Sequence, residues 1–159
     1  MPKFTHLTLA VLSTLGLSLS LTLPASAATL KIEDPCGGKP WLNVVVPHDE
    51  GLSAGAVTVS ELEKNKIAFE GSEYGIVSIK NTVTSTEAME ILGPNEMRAY
   101  GWCYSFNGVE PNVYASDIQV DTPNDAIVWY FGFAHYKNGE WISMCEPTRL
   151  NKPAYICSK

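Results

Sequence analysis

Hydrophobic and polar positions alternate most regularly in the second half of the chain. Aromatic side chains occupy every second position of one strand-length segment: Tyr100, Trp102, Tyr104 and Phe106. This period of two is typical of a β-strand with one aromatic face. Asn107-Gly108 then predicts a tight turn. A run rich in β-branched and aromatic residues follows at 126–136, and the turn at 137–140 joins it to a strand at 141–145, so the pattern predicts a C-terminal hairpin.

The first half of the chain contains shorter signals. Its apolar and β-branched runs predict strands at 41–46, 56–59 and 75–80, and a further short strand is expected at 118–120. Ser60 followed by Glu63 forms a capping box and predicts one short helix over 61–67. Residues 82–92 fit a strand and helical turns equally well. Together these elements predict a β-rich α+β fold with one short helix.

The first 27 residues have the layout of a signal peptide. Lys3 is the only Lys, Arg, Asp or Glu before Lys31, residues 7–23 are apolar apart from Ser, Thr and Gly, and small residues around Ala27 fit a cleavage site. The alternative is an uncleaved membrane anchor, although the apolar run is at the short limit for a membrane span. Cleavage predicts a protein exported to the periplasm or beyond, with no stable membrane insertion.

Breaker residues divide the remaining chain into three segments. Gly and Pro residues at 35–40 indicate an irregular lead-in over 28–40, and the pattern of strands predicts a single folded domain over 41–146. Pro147 and Pro153 indicate a C-terminal tail over 147–159 that lies irregularly on the domain.

Charge and motif content exclude several function classes. The 159 residues have a formal net charge of -6 and a pI near 5.0, which argues against nucleic acid as a partner. The sequence His48-Asp49-Glu50 is better read as a solvated acidic turn than as a metal site. No catalytic spacing or phosphate-binding glycine loop is present, so we predict no catalytic residues and no metal.

The four cysteines of the chain are Cys36, Cys103, Cys145 and Cys157. An even number in an exported protein predicts two disulfides, and the absence of a C-x-x-C pair argues against zinc and redox sites. We favour the pairing Cys103–Cys145 with Cys36–Cys157, while a local Cys145–Cys157 bridge is the main alternative. A thiol nucleophile at Cys103 with His135 as its base is a third reading.

Most of the aromatic residues lie between Tyr100 and Trp141. The plain reading is a hydrophobic core formed across a sheet. The alternative is that one face of the sheet is open and forms a platform or pocket for a flat or sugar-like ligand. The candidate ligand-binding residues are Trp102, Tyr104, Asn107, Tyr130 and His135.

Two segments carry a family resemblance. Residues 101–108 (GWCYSFNG) and 124–131 (NDAIVWYF) resemble a bacterial domain-of-unknown-function family related to the C-terminal domain of transcobalamin and intrinsic factor. The resemblance covers roughly residues 41–136. Asn124 stands where the family usually has Gly, and the hairpin at 137–140 with Cys145 and Cys157 is an addition. The matched positions are Trp102, Tyr104, Asn107, Gly108, Asp125, Ile127 and Trp129.

The resemblance implies a β-grasp-like fold, in which a mixed sheet packs on a helix. It also implies a relationship to cobalamin carriers, which use this domain to cover one side of the corrin and hold it mainly against a helical barrel. Residues 28–159 have no room for such a barrel, so no cofactor is predicted for this chain alone.

Three functions remain in competition. The preferred hypothesis is an exported binding or interaction module for an unknown small molecule or protein, and it predicts an exposed group of Trp or Tyr outside the core. The second is a secreted or periplasmic hydrolase or thiol enzyme, which predicts a free thiol or a perturbed carboxylate in a cleft. The third is a purely structural envelope protein with a sheet edge suited to pairing.

Overall fold

A computed structural model describes residues 27–48, 51–150 and 152–157 of the chain. The predicted signal peptide therefore lies almost entirely outside the described residues, as do Asp49 and Glu50 of the predicted acidic turn. In the described part of the chain, no helix has the length and apolar character needed to cross a membrane.

The chain contains eight strands, two α-helices and two 3₁₀ turns in its described part. The strands are β1 (Thr29–Ile32), β2 (Leu42–Val45), β3 (Phe69–Ser72), β4 (Gly75–Ile79), β5 (Met89–Gly93), β6 (Glu96–Phe106), β7 (Ala126–Lys137) and β8 (Glu140–Pro147). The helices are α1 (Ala54–Lys64) and α2 (Ala154–Cys157), and the 3₁₀ turns are Ser85–Ala88 and Ala115–Asp117.

The main sheet has the strand order β2-β1-β7-β6-β5. Strand β7 pairs with β6 along its whole length on one side, and on the other side it pairs with β1 and then with β8. The β1–β7 pair is parallel and the other pairs are antiparallel, so the sheet is mixed. Strands β3 and β4 form a separate small antiparallel sheet. The β-rich α+β class and the C-terminal hairpin are thereby confirmed.

Two buried hydrogen bonds in series connect helix α1 to strand β7. The Trp129 indole N–H of β7 donates to Thr58 Oγ1 at 2.9 Å, and Thr58 Oγ1 donates to the Ala54 carbonyl at 2.7 Å. Around this pair lies the main core, with Leu30, Ile32, Leu62, Ile79, Val120 and Ile127. Because buried polar groups need hydrogen-bond partners, these two hydrogen bonds position α1 against β7.

A helix is present in the predicted region, but the strand predicted at 56–59 is wrong, because those residues belong to α1, which ends at Lys64 and not at residue 67. The segment is one helix that begins after Ser53, whose Oγ accepts a hydrogen bond from the Ala56 N–H at 3.0 Å. Ser60 lies in the middle of the helix, so the capping box that it forms with Glu63 in the sequence does not cap it. Packing of the Val57 and Leu62 face on the sheet overrides the strand propensity of the β-branched residues.

Other segments also differ from the sequence expectations. Strand β1 lies within the lead-in expected to be irregular, because Leu30 and Ile32 are buried beside β7. The strand expected at 118–120 is reduced to a bridge between Ser53 and Gln119. Residues 85–88 form a 3₁₀ turn before β5, and α2 lies in the tail expected to be irregular.

Both disulfides of the favoured pairing are present, Cys36–Cys157 and Cys103–Cys145. The second joins β6 to β8 across β7 at Gly132. A Cβ atom at Gly132 would lie 3.2 Å from Cys103 Sγ and from the Cys145 backbone, so the missing side chain leaves space for this crossing.

Candidate functional site

The aromatic face predicted for β6 packs against β7. Tyr104 stacks on Trp129, with ring centroids 5.1 Å apart and an interplanar angle of 28°. Trp102 lies edge-on to Phe131 at 5.5 Å and contacts Trp41 at 5.7 Å. Trp129 and Phe131 are buried, so much of the aromatic cluster is core.

An open groove of about 240 Å³ lies beside Trp102 and Tyr104 of β6, and we call it the Tyr104 groove. Its lining includes Tyr74, Trp102, Tyr104, Glu110, Val113 and Tyr114. Tyr74 and Tyr114 are 60% and 66% exposed, and their rings meet edge-to-face at 6.0 Å. The group of exposed aromatic side chains expected of a binding module is therefore present.

The hairpin of β3 and β4 positions Tyr74 at the groove. Tyr74 is in the turn between these strands, and its carbonyl accepts a hydrogen bond from the Ala115 N–H at 3.3 Å. The same turn packs against Gly55 of α1, where any Cβ atom would overlap the Glu73 carbonyl. Close approach of the turn to the helix thus brings Tyr74 to Tyr114.

The Tyr104 hydroxyl ties the second wall of the groove to β6. It donates to the Val113 carbonyl at 2.7 Å, which holds the loop that carries Tyr114. Burial and the negative charge of Asp117 raise the pKa of Tyr104, so its hydroxyl stays protonated and able to donate.

Trp102 is part of the groove lining, and its indole N–H already has a hydrogen-bond partner. Its indole N–H donates to Thr82 Oγ1 at 2.8 Å. Beyond the ring lies a second groove, of about 470 Å³, lined by Asp34, Trp41, Lys80 and the Cys36–Cys157 disulfide among others. Lys80 Nζ lies 4.7 Å from the centroid of the Trp41 ring.

Tyr130 belongs to the opposite face of the sheet, where it pairs with Cys103. Its hydroxyl lies 3.2 Å from the Glu110 carboxylate. Burial and the charge of Glu110 raise the pKa of Tyr130 to about 12. Tyr130 therefore holds Glu110 from behind the groove and does not line the groove itself.

Asn107 forms side-chain hydrogen bonds that stabilise the turn after β6. It has a positive φ of 54°, its Nδ2 donates to Asp125 Oδ1 at 2.9 Å, and its Oδ1 accepts from the Ala126 N–H at 2.8 Å. Burial opposes ionisation of Asp125, but hydrogen bonds from Asn107, Thr122 and Asp121 outweigh it and lower the pKa of Asp125. The amide of Asn107 stabilises the fold at this corner.

His135 lies at the other end of β6 and β7. Its Nε2 is 2.9 Å from Glu96 Oε1, and Lys137 Nζ is 3.2 Å from Glu96 Oε2. Hydrogen bonds from His135 and then Lys137 lower the pKa of Glu96. The structure thus brings Trp102 and Tyr104 together in one groove and places the other three candidate residues outside its lining.

Sequence reasoning missed Tyr74, Glu110 and Tyr114. Each follows or precedes turn residues in a segment without periodicity, and aromatic residues in such loops are a signal for exposure rather than core. The signal does not reveal which loops meet, because Tyr74 and Tyr114 are brought together by contacts distant in sequence.

The thiol-enzyme hypothesis is contradicted at Cys103, since this residue forms a disulfide with Cys145. The described residues contain no free cysteine. They also contain no cluster of three or more His, Cys, Asp or Glu side chains arranged to hold a metal ion.

Fold and site together define a small disulfide-linked β-rich α+β domain with an exposed aromatic groove. Residues 56–132 match the model of the family described as Domain of unknown function (DUF4430). The match runs from α1 into β7 and includes every named residue of the Tyr104 groove. Comparison with curated proteins and with solved structures found no match to the chain.

Proposed function

We propose that this protein is an exported binding module whose ligand contacts the Tyr104 groove. The observation that carries the proposal is the pair Tyr74 and Tyr114, whose large rings remain mostly exposed while the neighbouring aromatic residues form the core. Aromatic groups exposed beside a concave surface are typical of ligand and partner sites. The walls are held by hydrogen bonds of Tyr104 and Tyr74, so the groove is formed before a ligand arrives.

The dimensions of the groove favour a slender ligand. Its volume of about 240 Å³ is below the ~300–1,000 Å³ of sites that enclose drug-sized molecules. Flat rings, sugar units and single side chains of a partner protein are of suitable size. Glu110 adds a carboxylate that can accept hydrogen bonds or pair with a cation.

The transcobalamin-like relationship is part of the proposal. Its support is the pair of motifs at 101–108 and 124–131. In the structure, the first forms the end of β6 and the turn after it, and the second leads into β7 and forms its first half. The Tyr104 groove does not fit cobalamin, because a whole corrin ring is larger than the drug-sized ligands that already exceed its volume. We therefore assign no cobalamin chemistry to this chain.

Export to the periplasm or the outside is the second part of the proposal. The two disulfides support an oxidising compartment, since such bonds are rare in the cytosol. Intact mass of the protein recovered from the periplasm or medium tests this part. A chain that begins at Ala28 and lacks free thiols supports it, and an uncleaved chain recovered with membranes contradicts it.

The binding role is tested by screening a library of aromatic, saccharide and peptide fragments against the ¹⁵N-labelled mature chain by NMR. We expect fragments to shift amide signals around Tyr104 and Tyr114. Tyr114→Ala removes an exposed ring and should abolish these shifts, whereas Trp141→Ala, which removes a 51% exposed ring on β8, should leave them. Failure of all fragment classes at the groove would refute the proposed function.

A further inference from the structure

One stretch of β6 has a hydrogen-bonded strand partner on one side only. Strand β5 pairs only with the first residues of β6, from Gly93↔Glu96 to Met89↔Ala99, whereas β7 pairs with β6 as far as Phe106. On the side away from β7, the described residues provide no strand partner for Trp102–Tyr104. We call this stretch the open edge of β6.

The backbone groups at the open edge point toward the Tyr104 groove. The Asn107 N–H donates to the Ala126 carbonyl next to β7, while the Phe106 N–H donates away from β7, to the Val109 carbonyl. Successive residues of a strand direct their N–H and C=O groups to alternate sides. The backbone N–H and C=O groups of Trp102 and Tyr104 therefore point away from β7, as those of Phe106 do. No described residue forms a hydrogen bond with these backbone groups of Trp102 and Tyr104.

The side chains around the open edge indicate the charge of what would bind there. Glu110 is the one charged residue in the described lining of the groove, and no Lys or Arg is present in that lining. Asp117 lies close enough to Tyr104 to act on it electrostatically. Tyr74 and Tyr114 line the same groove as Glu110, and the π-faces of aromatic rings attract cations.

We propose that the open edge of β6 binds an extended peptide segment of a partner protein that carries a Lys or Arg side chain. The segment adds as a short strand to Trp102 and Tyr104, and its cationic side chain lies between Tyr114 and Glu110. Strand addition supplies main-chain hydrogen bonds for affinity, and the groove supplies side-chain selectivity. This inference rests on the proposed function and names its ligand class.

The test uses a short acetylated and amidated peptide of alternating threonine and valine residues with a central lysine. It is titrated into the ¹⁵N-labelled mature chain, and hydrogen exchange is measured at the amides of Trp102 and Tyr104. We expect both amides to be protected on binding. The same peptide with every backbone nitrogen methylated loses the donors on both of its edges and should not bind.

Matched changes on the two partners test the charge. Replacing the peptide lysine by glutamate, or Glu110 by glutamine, should weaken binding by about tenfold or more. Trp141→Ala should leave the affinity unchanged. Equal binding of the methylated peptide would overturn strand addition, and equal binding of the glutamate peptide would overturn the cationic specificity.

Two further outcomes separate this inference from the proposed function. If fragments bind at Tyr114 but no peptide protects Trp102 and Tyr104, the peptide inference fails while the binding module stands. If the amides are protected only through concentration-dependent self-association, the occupant is a second copy of the chain and the partner peptide is ruled out.

Discussion

The hydrogen bond between Trp129 and Thr58 allows the strongest test of the fold. The indole N–H and the threonine hydroxyl are both buried, with 2% and 0% exposure of their residues. Thr58→Val keeps the shape of the side chain but replaces the acceptor by a methyl group. The Trp129 N–H is then buried without a partner, which costs about 1–3 kcal/mol.

The expected loss is a large share of the stability of a domain of this size, which is typically about 5–15 kcal/mol. Urea unfolding followed by far-UV circular dichroism measures it without relying on tryptophan fluorescence. A loss of about 2 kcal/mol lowers the midpoint by about 1 M when the slope is about 2 kcal/mol per molar urea.

A double-mutant cycle isolates the hydrogen bond. In a Trp129→Phe background the N–H is absent, so Thr58→Val should cost less there, with a coupling energy of about 0.5–3 kcal/mol. A coupling energy indistinguishable from zero would refute the reasoning, because the bond would then contribute nothing beyond the packing of the two side chains.

Three further predictions concern close packing, pH and cross-links. Gly55→Ala should destabilise the chain by about 1–3 kcal/mol despite alanine's higher helix propensity, because its Cβ overlaps the Glu73 carbonyl; an unchanged Tm would contradict this. The lowered pKa of Asp125 in the folded state adds stability that is present above the pKa of the unfolded state and is lost as the pH falls through the folded-state pKa. The unfolding free energy should therefore fall less steeply with acid in Asp125→Asn than in the unchanged protein. Parallel curves for the two proteins would contradict this. Loop-closure entropy assigns at most about 5 kcal/mol to Cys36–Cys157, whose cysteines are 121 residues apart, and about 4 kcal/mol to Cys103–Cys145, 42 apart. Paired alanine variants compared by urea unfolding should each lose stability, and an unaffected midpoint would contradict the entropic account.

Local periodicity was sufficient where the side chains on one face of a strand pack against the hydrophobic core. The aromatic residues from Tyr100 to Phe106 and the run from Ala126 predicted β6 and β7 because alternate side chains of both strands pack into the two hydrophobic clusters of the domain. The same reasoning failed at Val57, Thr58 and Val59. There the strand propensity of the β-branched residues masked the start of the helix, whose cap is Ser53 and not Ser60.

The candidate site was predicted only in part for a related reason. Trp102 and Tyr104 were identified because they belong to the periodic strand, and both line the groove. Tyr130 was placed with them by composition, although it alternates with Trp129 and Phe131 on β7 and therefore lies on the other face. His135 lies on the face of Trp102 but at the far end of the strand, where it bonds to Glu96.

The sequence by itself determined the β-rich class, the strands of the C-terminal half and a cysteine content that forms two disulfides. These properties follow from side-chain period, turn chemistry and cysteine number, which are local or countable. Only the tertiary structure decided that Tyr74 meets Tyr114 and that the edge of β6 beside them has no hydrogen-bonded strand partner. Those features depend on where β5 stops and how the β3–β4 turn packs on Gly55, and such long-range contacts leave no periodic signal along the chain.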